Sequence, residues 1–288
     1  MKNIIRYIDL KNVSPEVFST MWEVDFIIDI QVPTIFQYTS DRVLCHLWEP
    51  PRVYTNISSL LLSKELSDVY MLRSYIPFIN DIFPVNRNDS LVFESSEFGY
   101  YIETPDVTYW IILHPNNNIH QKMDSMSHSI LQDIFKEQNI KTKHVGNDLF
   151  LRDKIDNQWK KFVGSLYRPA KNNYSYSDIA LTWKFDVDVA NRVRKVADDE
   201  NIKLKKFKVE DIGSRVMGVF SVYPTVNREE VELEFINRFS NSFDLTIKSD
   251  TLLKEEYDLL FDMGNRRLED INWQHKGIND NFGDSLYE

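Results

Sequence analysis

The residues best suited to chemistry lie in the segment VGNDLFLRDKIDNQWKKFVGSL, which spans positions 145–166. Asn147 and Asp148 stand at one end of this segment, and Lys161 and Gly164 stand at the other. A lysine ammonium is a compact charge with three donors, so it can hold a carboxylate, an acyl carbonyl or a phosphate oxygen. A nearby glycine lets the backbone approach a ligand, because no Cβ stands in the way. These residue types suit a site for an activated acid.

The same residues also have a simpler interpretation, in which Lys160 and Lys161 are a surface pair at the start of an ordinary strand. Side chains alternate between the two faces of a strand. We therefore expect Lys161 and Gly164, which are three positions apart, to face opposite ways, so that Gly164 serves through its backbone alone. The residue types by themselves leave both interpretations open.

Other nucleophiles and metal ligands are less promising. Cys45 is the only cysteine, and it lies in the apolar run VLCHLW, where a small buried thiol is the expected state. The neighbouring His46 is expected to face the other side of that strand, which argues against a Cys-His pair. His114, His120 and His128 lack the tight spacing typical of zinc sites. We assign no metal ligand from the sequence.

Composition limits the classes of partner. The chain has 288 residues and a formal net charge of -10, from 44 acidic and 34 basic side chains, which argues against a surface built for polyanions. The densest cationic run, KLKKFK at 203–208, is interpreted as a solvated strand edge or face, and nucleic-acid binding through it is the weakest hypothesis. A single cysteine excludes an internal disulfide, and no apolar run approaches the roughly 20 residues of a membrane span. We predict a cytoplasmic protein without a membrane partner.

The elements that must position these residues follow from periodicity and from turn signals. Helices are predicted from Ser14 to about Ile30, over 124–138, over 187–197, from a cap at Thr225 to about Phe243, and from Ser249 or Asp250 to Gly264. Strands are predicted over 41–48, in a hairpin made of FGYYIE and VTYWIILHP, in two arms of the segment 145–166, and in DIALTWKFD. Helices come singly between groups of strands, which predicts an α+β fold with a mainly antiparallel sheet flanked by helices.

Several stretches carry a resemblance to a known family. GNDLFL followed by KKFVGSL resembles the paired segment of the biotin and lipoate ligase superfamily, in which an Asn-Asp strand end and a Lys-x-x-Gly strand enclose an acyl-adenylate. Four further stretches follow the order of the family, namely VLCHLWEPPRVY, ALTWKFDVDVANRVRKV, DIGSRVMGV and INWQHKG. The resemblance covers roughly residues 40–277, is closer to the lipoate-protein ligase branch, and implies that branch's cofactor transferase fold. We predict a cofactor transferase-like catalytic domain over residues 1–245 and a helical C-terminal extension with a tail over 246–288.

The resemblance also implies a role for each candidate. Lys161 is the implied catalytic residue, which binds the acyl carbonyl and phosphate of the adenylate. Asn147 and Asp148 are implied to lie on the nucleotide or metal side of the pocket, and Gly164 and Ser165 to form a close backbone wall. Such an enzyme couples a carboxylic acid to AMP and then lets a lysine amine attack the mixed anhydride. The implied ligands are ATP with magnesium and lipoate or a related acyl acid, and the implied acceptor is an acyl-carrier protein domain.

One departure from the family pattern supports a second hypothesis. The family has an Arg-Arg-x-Ser-Gly-Gly turn where this chain has PVNRNDSLVF, residues 84–93. Arg87 remains a candidate for ligand binding, whereas Ser90 and Leu91 replace the glycine pair and keep the backbone farther from a ligand. We also expect the small C-terminal domain of the family to be absent, and forms without it can need an accessory protein for adenylation. The alternative to an acyltransferase is a binding or scaffold protein that retains the fold without the chemistry.

Overall fold

The computed structural model describes residues 3–10, 13, 17, 20–21, 24–40, 44–48, 92–95, 99–103, 107–116, 118–169, 174–184 and 216–269. Within these residues the main feature is one twisted sheet of eight strands. Its strands are Ile4–Asp9 (β1), Thr34–Ser40 (β2), Val107–His114 (β6), Thr142–Val145 (β7), Asp148–Arg152 (β8), Trp159–Pro169 (β9), Ser175–Thr182 (β10) and Thr246–Asp250 (β11). Their order across the sheet is β11-β1-β2-β6-β10-β9-β8-β7. Only the β11-β1 and β1-β2 pairs in this sheet are parallel, so the sheet is mainly antiparallel as predicted.

A smaller sheet corrects one predicted hairpin. Its strands are Leu44–Trp48 (β3), Val92–Ser95 (β4) and Gly99–Glu103 (β5), and β3 lies between the other two. FGYYIE and VTYWIILHP do form β5 and β6, but β5 pairs with β3 while β6 lies in the large sheet. The hairpin prediction was therefore wrong about pairing. High β-propensity and a turn signal predict strands, but they do not decide which strand becomes the partner.

Four α-helices are described, and their ends refine the sequence predictions. They are Val24–Ile27 (α1), His120–Glu137 (α2), Arg228–Ser242 (α3) and Lys254–Glu269 (α4). Helix α2 ends just before Asn139, whose φ of 60° places it in the left-handed region. Beyond it, Ile140 N–H donates to the Phe135 carbonyl at 2.9 Å, as is common after the end of a helix. The predicted stop is thus confirmed. Helix α3 is capped by Asn227, which accepts from Glu230 N–H at 3.3 Å, and the predicted cap at Thr225 was wrong.

The last helix begins later and runs farther than predicted. Ser249 and Asp250 belong to β11, which pairs with β1, so tertiary pairing overrides their tendency to cap a helix. Gly264 lies inside α4 and does not end it. Arg6 of β1 reaches Asp250 at 3.2 Å and Glu256 at 2.8 Å, which ties the start of α4 to the sheet. The division of the chain at residue 245 stays a prediction.

The two faces of the large sheet carry separate apolar clusters. Helices α2 and α3 cover the face that we call the back face, where Trp110, Phe135 and Phe235 are buried. The opposite face, called the front face, packs Phe36, Tyr109 and Ile111 against the N-terminal segment. In that segment Val17, Met21, Val24 and Ile28 are all buried, as their helical spacing predicts. None of the helices in the described part of the chain is long and apolar enough to cross a membrane.

Candidate active site

Two successive hairpins bring the predicted site residues of the segment 145–166 to one edge of the sheet. Strands β7 and β8 pair through Val145 and Asp148, which leaves Gly146 and Asn147 as the turn. Gly146 has φ of +60°, a value that suits glycine at the first central position of a tight hairpin turn. Strands β8 and β9 then pair so that Asp148 lies opposite Gly164. The segment 145–166 therefore folds into the two strands and turn predicted from the sequence.

A β-bulge in β9 changes which residues share a face. Leu149 pairs with Val163, but the next residue, Phe150, pairs with Lys161, so Phe162 is an extra residue in β9. Phe162 and Val163 are consecutive and both buried, as a bulge allows. The bulge puts Lys161 and Gly164 on the same front face, and the expectation that they face opposite ways was wrong.

The Lys161 side chain lies directly across Gly164. Its Nζ is 2.8 Å from Asp148 Oδ1, and the two side chains keep 26% and 33% of their exposure. A Cβ added at Gly164 would stand 2.8 Å from both Cε and Nζ of Lys161. Gly164 thus provides the space in which the lysine lies, a role for the missing side chain that the sequence did not reveal.

Lys160 and Lys161 do not act as a surface pair. Lys160 points to the other side of β9, where its Nζ lies 2.7 Å from Asp153 and 2.9 Å from Asp156. Those two carboxylates also accept from backbone N–H groups of the β8–β9 turn, and the hydrogen bond from Lys160 holds the pKa of each below its ordinary value. Lys160 therefore stabilises the β8–β9 turn, whereas Lys161 lies at the candidate site beside Asp148.

A third segment meets β9 at the bulge. Strand β10 pairs with β9 only as far as Leu181 and Val163. Beyond that point Met217 N–H donates to the Lys161 carbonyl at 2.9 Å. Gly218 follows, and a Cβ there would lie 2.4 Å from the Trp183 carbonyl oxygen. Glycine is therefore needed at position 218 so that this segment can pack against the backbone of Trp183 and Lys184.

The side chain of Ser165 faces away from Lys161, onto α2. Its hydroxyl donates to the Asp124 carboxylate and lies 3.4 Å from His128 Nε2. His128 Nε2 lies 3.2 Å from the Asn147 carbonyl, and Nδ1 lies 2.9 Å from the Asp124 carbonyl. Sequence reasoning missed Asp124, and it considered His128 only as a zinc ligand. The available signal was two polar residues four apart on the buried face of a helix, since residues at that spacing are neighbours.

The remaining candidates are described only in part. Arg87 lies outside the described residues, and so does the predicted helix over 187–197. Cys45 and His46 lie on β3, as the sequence predicts, and pair through their backbones with Ile102 and Tyr101 of β5. The roles assigned to Lys161, Asn147, Asp148, Gly164 and Ser165 stay predictions, now with positions attached.

Comparison with known proteins identifies the fold. No family model matches the chain, and no curated protein matches its sequence. A bi-partite lipoate protein ligase from Thermoplasma acidophilum, presented with its E2 lipoyl domain, has a TM-score of 0.64 at 11% identity, over 96% of this chain and 98% of that one. Lipoate-protein ligase A bound with ATP has a TM-score of 0.60 at 11% identity, over 96% of this chain and 100% of that one. LipL1 from P. falciparum in complex with lipoate has a TM-score of 0.54 at 13% identity, over 94% of this chain and 73% of that one.

The chain therefore has the fold of the lipoate-protein ligases. The predicted α+β class, with a mainly antiparallel sheet flanked by helices, is confirmed. The resemblance drawn from the ordered sequence stretches is also confirmed at the level of the fold. On this fold, an ammonium held over a glycine beside a carboxylate can bind an anionic or carbonyl oxygen and orient it.

Proposed function

We propose that this chain is a lipoate-protein ligase-like acyltransferase that binds or forms an acyl-adenylate and transfers the acyl group to an acceptor amine. One observation carries the proposal. The Lys161 ammonium lies across Gly164 and pairs with Asp148 at 2.8 Å, in a partly exposed position on a sheet with the lipoate ligase fold.

The groups at this position suit the proposed ligand. An ammonium has three N–H donors, so its contact with Asp148 is compatible with further contacts to carbonyl and phosphate oxygens. The partial exposure of both side chains leaves a ligand room to reach them. ATP with magnesium is the proposed activating substrate, lipoate or a related acyl acid is the proposed second substrate, and no residue is assigned to the metal.

The proposed reaction has two steps. The substrate carboxylate attacks the α-phosphate of ATP, an oxygen–phosphorus bond forms, and pyrophosphate leaves. The acceptor amine then attacks the acyl carbonyl, a carbon–nitrogen bond forms, the carbon–oxygen bond to AMP breaks, and the amine loses a proton. In both steps negative charge develops on oxygens next to Lys161, and a pre-oriented cation stabilises that charge without reorganisation.

The relatives suggest the partners of such a reaction. The ligase from Thermoplasma acidophilum is presented with an E2 lipoyl domain, which supports a lysine on an acyl-carrier domain as the acceptor. The same ligase is bi-partite, which supports an accessory polypeptide for the adenylation step. We further propose that the protein acts in the cytoplasm, and that residues 1–245 and 246–288 are the two parts of the chain.

Calorimetric titration with a non-hydrolysable lipoyl-AMP mimic tests the proposal. We expect the full chain to bind the mimic, and we expect Lys161→Ala to weaken binding about 10-fold or more, since a hydrogen bond to a charged group contributes roughly 1.5–3 kcal/mol. The matched control is Lys143→Ala. Lys143 of β7 pairs with Phe150 of β8, and Phe150 pairs with Lys161 of β9, so Lys143 and Lys161 lie in one row across the sheet. The Lys143 side chain is exposed.

The outcomes separate the enzyme from the scaffold hypothesis. Acyl transfer to a lipoyl domain, followed by mass spectrometry with ATP and lipoate or octanoate, extends the binding test to chemistry. A wild type that binds neither ATP nor the mimic contradicts the proposal and favours a fold retained for binding other partners. Equal affinity of wild type and Lys161→Ala also contradicts it.

A further inference from the structure

A buried polar cluster lies directly behind the candidate site, on the other side of β9. We call Asp124, His128 and Ser165 the back cluster. His128 is fully buried, and Asp124 and Ser165 retain 4% and 9% of their exposure. Ser165 follows Gly164 in the chain, so the same piece of strand presents the lysine site on its front face and this cluster on its back face.

The contacts of His128 favour a doubly protonated ring. Nδ1 lies 2.9 Å from the Asp124 main-chain carbonyl and 3.5 Å from its carboxylate, and Nε2 lies 3.2 Å from the Asn147 carbonyl. Carbonyl oxygens only accept, and a neutral imidazole has a single N–H. Both contacts are hydrogen bonds only when the ring carries two protons. Because the ring is buried, its charge needs the nearby Asp124 carboxylate as a partner.

The electrostatics of the cluster agree with this geometry. Burial alone lowers the pKa of His128, but hydrogen bonding to Asp124 and attraction by its carboxylate outweigh burial and raise the pKa above its ordinary value. The His144 ring of β7 stacks on His128 at 4.7 Å and is the other titratable group packed on it among the described residues. The His128 ring also contacts the Ser165 hydroxyl of β9 and the Asn147 carbonyl of the β7–β8 turn.

The cluster acts on the corner of the chain that carries Asp148. The Asn147 carbonyl accepts from Ser165 N–H at 3.0 Å and from His128 Nε2 at 3.2 Å. The next residue, Asp148, projects to the front face and pairs with Lys161. A shift of the Asn147 carbonyl therefore moves the carboxylate that orients the lysine.

We propose that His128, held by Asp124, is a positioning residue that fixes the Asn147–Asp148 corner in the place where Asp148 orients Lys161. Loss of the Nε2 proton breaks the hydrogen bond to the Asn147 carbonyl and loosens that corner, which Ser165 N–H still holds. The link to ligand binding rests on the proposed function, whereas the link between His128 and the corner does not.

Nitrogen-15 NMR of the His128 ring tests the structural half of the proposal with the full chain. We expect both ring nitrogens to be protonated at pH 7, and we expect the backbone amide signals of Gly146, Asn147 and Asp148 to titrate together with the ring as the pH rises. A His128 that is neutral at pH 7, or a corner whose signals do not follow the ring, overturns the proposal.

Two substitutions test the consequence for the site, and both are first checked for folding by circular dichroism. His128→Gln keeps an uncharged N–H donor toward Asn147, whereas His128→Asn is too short to reach it. We expect His128→Gln to bind the acyl-AMP mimic within about 3-fold of wild type with a flatter pH profile, and His128→Asn to bind about 10-fold more weakly. If His128→Asn fails to fold, the pH profile of His128→Gln against wild type is sufficient.

His120→Asn, the same change at the start of α2, is the control and is expected to bind like wild type. Identical pH profiles for wild type and His128→Gln overturn the proposal. If wild type does not bind the mimic at all, the proposed function fails, and the NMR titration still decides whether His128 positions the corner.

Discussion

The two faces of β9 place polar groups in opposite environments, with Lys161 and Ser165 only four positions apart along the strand. On the front face, Lys161 and Asp148 form one ion pair and keep about a quarter to a third of their exposure. On the back face, Asp124, His128 and Ser165 are buried and meet one another and the Asn147 carbonyl. Under the proposed function, exposure separates the groups proposed to meet a ligand from the groups proposed to hold the chain in position.

Energetics supports the same division. A partly exposed ion pair contributes little to stability, because water and salt screen it. A buried charge left without its partner is far more costly. Substitutions on the front face should therefore weaken ligand binding with little change in stability. Substitutions on the back face should lower stability, either alone or together with ligand binding.

The largest expected effect comes from removing the charge that balances His128. Asp124→Asn keeps the shape and the oxygen that accepts from Ser165, but it leaves His128 without its carboxylate. We expect the free energy of unfolding to fall by about 3 kcal/mol at pH 6, where the ring must carry its charge unpaired or lose its proton. Urea denaturation followed by circular dichroism measures the change.

The matched control for Asp124→Asn lies on the exposed side of the same helix. Asp133→Asn makes the same chemical change in solvent and should alter stability by less than about 0.5 kcal/mol. Equal losses of unfolding free energy for the two variants would show that charge does not stabilise the back cluster. The contrast drawn between the two faces of β9 would then fail.

A substitution at Gly164 should weaken ligand binding without weakening the fold. Gly164→Ala places a Cβ where Lys161 Cε and Nζ now lie, at 2.8 Å, and the flexible end of the lysine must move away. We expect about 10-fold weaker binding of the acyl-AMP mimic. Stability should stay within about 1 kcal/mol or rise, because alanine loses less backbone entropy than glycine on folding. Calorimetry and thermal unfolding measure the two quantities.

The lysine provides the control for this variant. In a Lys161→Ala background, Gly164→Ala should cause no further loss of affinity, since the side chain it displaces is gone. A loss that persists in the double variant indicates that Gly164 contacts the ligand through its own backbone, as the sequence alone suggests.

Local patterns in the sequence predicted six of the eleven described strands, and they missed β1, β2, β4, β7 and β11. The stripe of Val17, Met21, Val24 and Ile28 is buried, and the hairpin 145–166 forms. Pairing between distant segments also failed. Strand β5 joins β3, and Ser249 and Asp250 join β1 as a strand, because contacts with residues far along the chain decide between alternatives that local propensity leaves open.

The candidate site shows the same limit at finer scale. The residue types pointed to Lys161 and Asp148, and the structure places them in contact. The bulge at Phe162 has no signature in composition, yet it decides which way Lys161 faces. The spacing of Asp124 and His128 was visible in the sequence, but their target, Ser165, lies on a strand that only the folded sheet brings against α2.

The stability contribution of His128 should depend on pH. Its folded pKa is raised, so the contribution is fully present below the unfolded value of about 6.5 and is lost as the pH rises through the folded pKa. We expect wild type to be more stable than His128→Gln by about 1–2 kcal/mol at pH 6, and by less at pH 9. Urea unfolding of both proteins at the two pH values measures the difference. A difference that is the same at both pH values contradicts a charged His128.

The smallest expected effect is the change in stability caused by Lys161→Ala. Its ion pair with Asp148 is partly exposed, so we expect the free energy of unfolding to change by less than about 1 kcal/mol, although ligand binding suffers. Lys160→Ala is the adjacent comparison. It removes a nearly buried ammonium that joins Asp153 and Asp156 across the β8–β9 turn, and it should cost more stability than Lys161→Ala.

Thermal unfolding of the two alanine variants, measured side by side, compares the stability contributed by two neighbouring lysines that point to opposite faces of β9. If Lys161→Ala destabilises the chain as much as Lys160→Ala, then Lys161 holds the hairpin together rather than serving a ligand. The front face would in that case be structural like the back face, and a binding or scaffold protein that retains the fold without the chemistry would account for the molecule better than the acyltransferase.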